Sequence, residues 1–150
     1  MEPQIPGTAF SGRVLLVDDM HDDVELLAIL LAPLEASVVV AGSAKEALAI
    51  LDDQIVDLVV TDLNMPGKSG LELAREVLAR REVPALIFMT GSQLAGDRIA
   101  ALALGAVAYL KKPVDVTQLI KLARGILRLR CAARTSAALL DGVKVATGAH

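Results

Sequence analysis

Leu58-Val59-Val60-Thr61-Asp62-Leu63-Asn64-Met65-Pro66-Gly67 runs four strand-forming residues into a carboxylate and then into a Pro-Gly turn. The apolar stretch is continuous rather than alternating, which marks a strand covered on both faces, as in parallel sheets. Working outward from it, four more runs have the same character: Val14-Leu15-Leu16-Val17, Ser37-Val38-Val39-Val40, Ala85-Leu86-Ile87-Phe88-Met89 and Ala106-Val107-Ala108-Tyr109-Leu110. The segments between and after these runs have helical spacing. Four of them open with a capping side chain three residues ahead of a carboxylate or amide: Asp22 before Glu25, Ser43 before Glu46, Ser69 before Glu72 and Asp115 before Gln118. Strand and helix therefore alternate five times. Right-handed crossovers then predict an α/β fold, an open doubly wound parallel sheet with helices on both faces. Such sheets bind ligands beyond the carboxyl ends of their strands, so function is to be sought just after each run.

The 150 residues are enough for one domain with a core of its own, and a composition 54% hydrophobic but only 2% aromatic builds that core from Val, Leu, Ile and Ala. Pro3, Pro6, Gly7 and Gly12 mark residues 1–12 as a flexible lead. The folded domain is expected over 13–130, and the small polar residues of 131–150 suggest a tail or a linker to a further effector segment. A lone cysteine, Cys131, and no charged-then-apolar leader suit a reducing cytoplasm. Every apolar stretch is cut by charge or proline before the roughly 18 residues a membrane span needs, so no membrane insertion is expected. A net charge of −3 supplies no broad basic field, so direct nucleic-acid binding by this chain is not expected.

The residues that follow the strands are Asp18-Asp19, Asp62, Thr90-Gly91 and Lys112-Pro113. If the fold holds, they converge. Two like charges about 4 Å apart at an effective dielectric near 20 repel by roughly 4 kcal/mol, so three clustered carboxylates require a cation or a proton. Oxygen ligands with no nearby His/Cys set point to a hard ion, and Mg²⁺, which takes one or two carboxylates plus a phosphate oxygen and keeps its waters, fits. Phosphoryl transfer needs little beyond positioning and charge neutralisation. Asp62 has the chemistry of a carboxylate nucleophile, Lys112 of a counter-charge, and Thr90 of a hydroxyl donor, while Gly91 leaves room for the phosphodonor and the Asn64 carbonyl offers a further ligand.

Taken together, Val17-Asp18-Asp19, Thr61-Asp62 through Gly67, Ser69-Gly70, Met89-Thr90-Gly91 and Tyr109-Leu110-Lys111-Lys112-Pro113 resemble the receiver domain of bacterial two-component response regulators over roughly Arg13 to Leu129. The resemblance implies a flavodoxin-like sheet of strand order 2-1-3-4-5. It implies that Asp62 is the phosphoacceptor, that Asp19 and Asp62 bind Mg²⁺ directly with the Asn64 carbonyl, and that Asp18 acts through water. It also implies that Lys112, three residues after the switch aromatic Tyr109, is the family's lysine and that the Lys112-Pro113 peptide is cis. Thr90 and Tyr109 take the places of the switch pair. The implied partners are a sensor histidine kinase or histidine phosphotransfer protein and a downstream effector. A homodimer through the surface of helix 4, strand 5 and helix 5 is a further implication. Its chemistry would be self-phosphorylation and slow autodephosphorylation of a signalling switch, not turnover of a substrate.

Each residue also has a bland reading. A strand-end aspartate is more often a cap or a solvated charge, Lys112 alone an ordinary surface lysine, and Tyr109 a core filler that keeps its hydroxyl wet. Position relative to Asp62 is what raises them above that. A flavin carrier of the same fold would have to bind phosphate at Asp18-Asp19-Met20-His21-Asp22-Asp23, which repels it. A phosphatase of the haloacid-dehalogenase type needs an acid/base aspartate two residues after the nucleophile, where this chain has Asn64. The serious rival is a receiver-like interaction module that takes no phosphate.

Overall fold

The computed structural model describes residues 12–91 and 94–146. In chain order the described elements are β1 (Arg13–Val17), α1 (His21–Leu30), β2 (Ser37–Ala41), α2 (Ala44–Asp53), β3 (Leu58–Asp62), α3 (Gly70–Leu78), β4 (Ala85–Thr90), α4 (Ala95–Ala103), β5 (Ala108–Lys111) and α5 (Val116–Ala146), with a single 3-10 turn over Ala32–Leu34. All strand pairs are parallel and the order is β2-β1-β3-β4-β5. The doubly wound topology and its order are as expected.

Successive residues of β1 enter opposite layers, which is why an unbroken apolar run was needed. Val14 and Leu16 pack with Val24 and Leu27 of α1 and Leu119, Ala123 and Leu127 of α5. Leu15 and Val17 pack with Ala44 and Ala47 of α2, Leu73 and Val77 of α3, and Ala101 of α4. Both faces of the central strands are thereby removed from water, and β3 is buried along its whole length.

Three of the four expected caps form. Ser43 Oγ accepts from the Glu46 amide, Ser69 Oγ from the Glu72 amide, and Asp115 Oδ1 from the Gln118 amide. Asp22 does not cap α1: the helix begins one residue earlier, at His21, and its N-cap position is Met20 with no side-chain bond. Asp22 and Asp23 lie instead in the first turn, where the helix dipole favours them. The last strand is shorter than its apolar run, starting at Ala108 rather than Ala106. The last helix, α5, continues to Ala146, through most of the segment expected as a tail or linker. The rest of the expected tail, 147–150, and the expected lead, apart from Gly12, lie outside the described residues. Among the described residues no helix is long and apolar enough to cross a membrane.

Candidate functional site

Strand register delivers the site. Val17 pairs with Thr61, Asp62 with Met89, and Thr90 with Lys111, so the residues that end each strand form one row along the carboxyl edge. Backbone bonds close that row: the Asp18 amide donates to Ala41, the Leu63 amide to Met89 at 2.9 Å, and the Lys112 amide to Thr90 at 2.8 Å. Gly70 at the start of α3 sits so close to β3 that any side chain there would overlap the Asp62 carbonyl. The glycine lets α3 pack directly behind Asp62.

Asp18, Asp19 and Asp62 each bring a carboxylate oxygen within 4.8 Å of the others. Asp18 and Asp62 are buried, 2% and 7% exposed, while Asp19 is open to solvent. Lys112 reaches in from the end of β5, its Nζ 2.7 Å from Asp18 Oδ2 and 2.9 Å from Asp62 Oδ2. The Met20 amide donates to Asp18 Oδ1, and the Asn64 amide to Asp62 Oδ1. The Asn64 side-chain amide lies 3.5 Å from Thr90 Oγ1, and Thr90 is fully buried. The Lys112-Pro113 peptide is cis.

A sequence model of the response regulator receiver domain matches residues 14–124. The chain belongs to that family. It is 39% identical over 118 residues to the transcriptional regulatory protein CpxR of Klebsiella pneumoniae, covering 78% of this chain and 50% of the relative. It is also 39% identical over 125 residues to the transcriptional regulatory protein AruR of Pseudomonas aeruginosa, covering 80% of this chain and 51% of the relative. The chain thus spans about half the length of these curated relatives. Among solved structures, a response regulator receiver protein from Pseudomonas putida superposes with a TM-score of 0.74 at 32% identity, over 77% of this chain and 98% of the other. The protein is accordingly a two-component receiver domain, a signalling module with an acidic pocket at Asp18, Asp19 and Asp62.

This receiver's donor set suits a hard divalent cation. Three carboxylate oxygens converge, one of them solvent-facing, and the single ammonium between them leaves negative charge uncompensated. The electrostatics show the same crowding. Burial holds the Asp62 carboxyl above its ordinary pKa; the bonds from Lys112 and the Asn64 amide offset this only in part, and the Asp18 charge adds to it. Burial pulls the Lys112 ammonium down, but its bonds to Asp18 and Asp62 outweigh that and leave it raised.

A pH dependence follows with a definite sign. A carboxyl whose pKa is higher folded than unfolded binds its proton more tightly in the native state, so ionising it removes stability as pH rises through that interval. Without metal, Asp62→Asn should therefore be more stable than the parent at neutral pH. The gain should shrink as pH is lowered toward the ordinary carboxyl value of about 3.9. Urea denaturation in chelator across that range checks it, and a neutral-pH loss of stability contradicts it.

Tyr109 differs from its bland reading. Its ring packs against the layer beneath α4, and its hydroxyl is buried with no hydrogen-bond partner among the described residues instead of wet. A side chain at Gly91 would meet nothing within 4 Å, so the space beside the end of β4 is open there. Arg124 of α5 donates to the Pro33 carbonyl. The close seat of Gly70 was not legible beforehand, since no local signal reports the distance between α3 and β3.

Proposed function

We propose that Asp62 accepts a phosphoryl group from a histidine kinase or histidine phosphotransfer protein and that the charge so gained switches the surface of α4, β5 and α5. An Asp62 carboxylate oxygen attacks phosphorus as the bond from phosphorus to the donor's histidine nitrogen breaks, the nitrogen keeping the electron pair. Asp18, Asp19 and Asp62, with the Asn64 carbonyl, would hold Mg²⁺. Bound there, the ion supplies counter-charge to the transferred oxygens. Lys112 neutralises charge from the β5 side, and the Thr90 hydroxyl donates to one phosphoryl oxygen. The observation that carries this reading is the Lys112 ammonium bound at once to Asp18 and Asp62, a counter-charge already aimed at the reacting carboxylate.

A rim of apolar side chains beside the site supports a protein as phosphodonor. Met20 and Leu26 are each 56% exposed, and Leu26 and Leu30 line, with Pro113 and Val114, a cleft that opens on Asp18 and Lys112. For the output, phosphorylation turns the singly charged Asp62 carboxylate into a group of nearly two negative charges with three further acceptor oxygens, and draws Thr90 toward it. Tyr109 sits on β5, its ring packed on the layer that includes Ala101 of α4 and its hydroxyl without a partner among the described residues. Leu94, Ile99 and Leu102, exposed on and beside α4, give that face an apolar surface for an effector or a second copy. The reading includes a cytoplasmic setting and no direct contact with nucleic acid or membrane. A receiver-like module that takes no phosphate would gain nothing from crowding carboxylates at the cost of repulsion.

NMR with Mg²⁺ and beryllofluoride, which mimics a phosphoryl group, tests the switch. Amide shifts should move at Asp62, Thr90, Tyr109 and along α4 and β5. Shifts confined to the residues around Asp62 would sink the coupling to the α4-β5-α5 face.

A further inference from the structure

The opposite end of β3 carries a second buried carboxylate that phosphoryl chemistry does not use. Asp57, directly before the strand, is 3% exposed. Its Oδ2 accepts from the Arg13 amide at the start of β1, at 2.7 Å. Its Oδ1 lies 2.7 Å from Arg134 Nη2 and 3.9 Å from Arg130 Nε. Arg130 also donates from Nη2 to the Val83 carbonyl, just before β4, at 2.7 Å. Gly12 completes the seat: any side chain there would overlap Leu127 of α5 and press on Asp57 Oδ2. The leading end of β1 and two arginines of α5 thus converge on the carboxylate before β3, and one of those arginines also holds the segment before β4.

The chemistry of α5 changes at this point. Leu127 is its last buried residue, and none of the described side chains after it is buried; Leu129 is 74% exposed and Leu139 66%. Among the described side chains of α5, full apolar burial therefore ends at Leu127. Beyond it, Arg130 and Arg134, one helical turn apart on the same face, tie the helix to the body through polar contacts. A carboxylate this buried is tolerated only with hydrogen-bond donors or counter-charge, and two of its partners come from the extension itself.

We propose that Asp57 is a latch that fixes the extension of α5 to the receiver body through Arg130 and Arg134, so that the helix leaves the domain as one continuous rod. The orientation of residues 135–146 is then set at the foot of β3. This goes beyond the phosphoacceptor reading and holds whether or not Asp62 is phosphorylated.

Amide hydrogen exchange on the whole 150-residue chain tests it. Arg134→Ala leaves Asp57 its Arg13 amide and Arg130, so the fold should persist while amides of residues 128–138 exchange about fivefold faster, the scale of one lost, partly exposed ion pair. Amides of β1 and β3 should keep their protection, and Arg134→Lys should retain part of the protection that Arg134→Ala loses. Asp57→Asn should loosen the same stretch at least as much. Because Asp57 also ties down β1, Arg134→Ala decides the matter if Asp57→Asn does not fold. Unchanged exchange over 128–138 in Arg134→Ala overturns the latch, as does a uniform acceleration across the domain.

Discussion

Asp62→Asn is expected to abolish phosphorylation by acetyl phosphate in the presence of Mg²⁺, with the intact-mass adduct of the parent protein falling to background. Only a carboxylate supplies the nucleophilic oxygen, and the amide that replaces it also weakens the metal site. The substitution keeps the shape of the side chain and an oxygen able to accept from the Asn64 amide, whose bond to Asp62 Oδ1 is 3.2 Å. The fold should therefore persist and, in chelator, gain stability for the reason given by the raised Asp62 pKa. This pairing of outcomes matters because it separates loss of chemistry from loss of structure. Full labelling of Asp62→Asn would show that the phosphoryl group goes elsewhere.

Lys112→Ala should weaken both the metal-free fold and the switch. Its ammonium is the shared partner of Asp18 and Asp62, whose side chains are only 3% and 9% exposed, and removing it leaves two buried carboxylates facing each other. Removing one partner of a buried pair costs about 3–5 kcal/mol; Lys112 is partly exposed and Asp62 is able to take up a proton, so a loss of about 2 kcal/mol in chelator is expected. Excess Mg²⁺ should restore much of that loss, because a divalent cation replaces the missing positive charge. The beryllofluoride shifts at Thr90 and Tyr109 should nevertheless shrink, since the lysine contact on the transferred group is gone. Denaturant midpoints with and without Mg²⁺, together with the NMR response, separate these effects. An unchanged beryllofluoride response would remove Lys112 from the charge-balancing role.

Much of this receiver is legible because its signals are local. Ser43 and Ser69 cap because the donor they satisfy lies three residues away in the same chain. Asp22 fails to cap for a related reason: the helix begins at His21, so Asp22 is already inside the first turn, where its charge serves but its geometry does not. The reach of α5 past residue 130 was not legible because the amphipathic stripe that announces a helix fades once the helix leaves the core. Arg130 and Arg134 hold the helix to the body where that stripe is missing, and their partner Asp57 is more than seventy residues away in the chain.

The sequence by itself determined the alternation of strands and helices, the burial of both sheet faces and the carboxyl edge as the place to look, since continuous apolar runs and capping residues act within a few positions. The tertiary structure alone decided that Lys112 bridges Asp18 and Asp62, 94 and 50 residues away, that the Tyr109 hydroxyl is buried without a partner among the described residues, and that Asp57 gathers arginines from α5. Those contacts depend on strand register and on how closely crossovers pack, and a side chain's distant partners leave no trace in its local pattern.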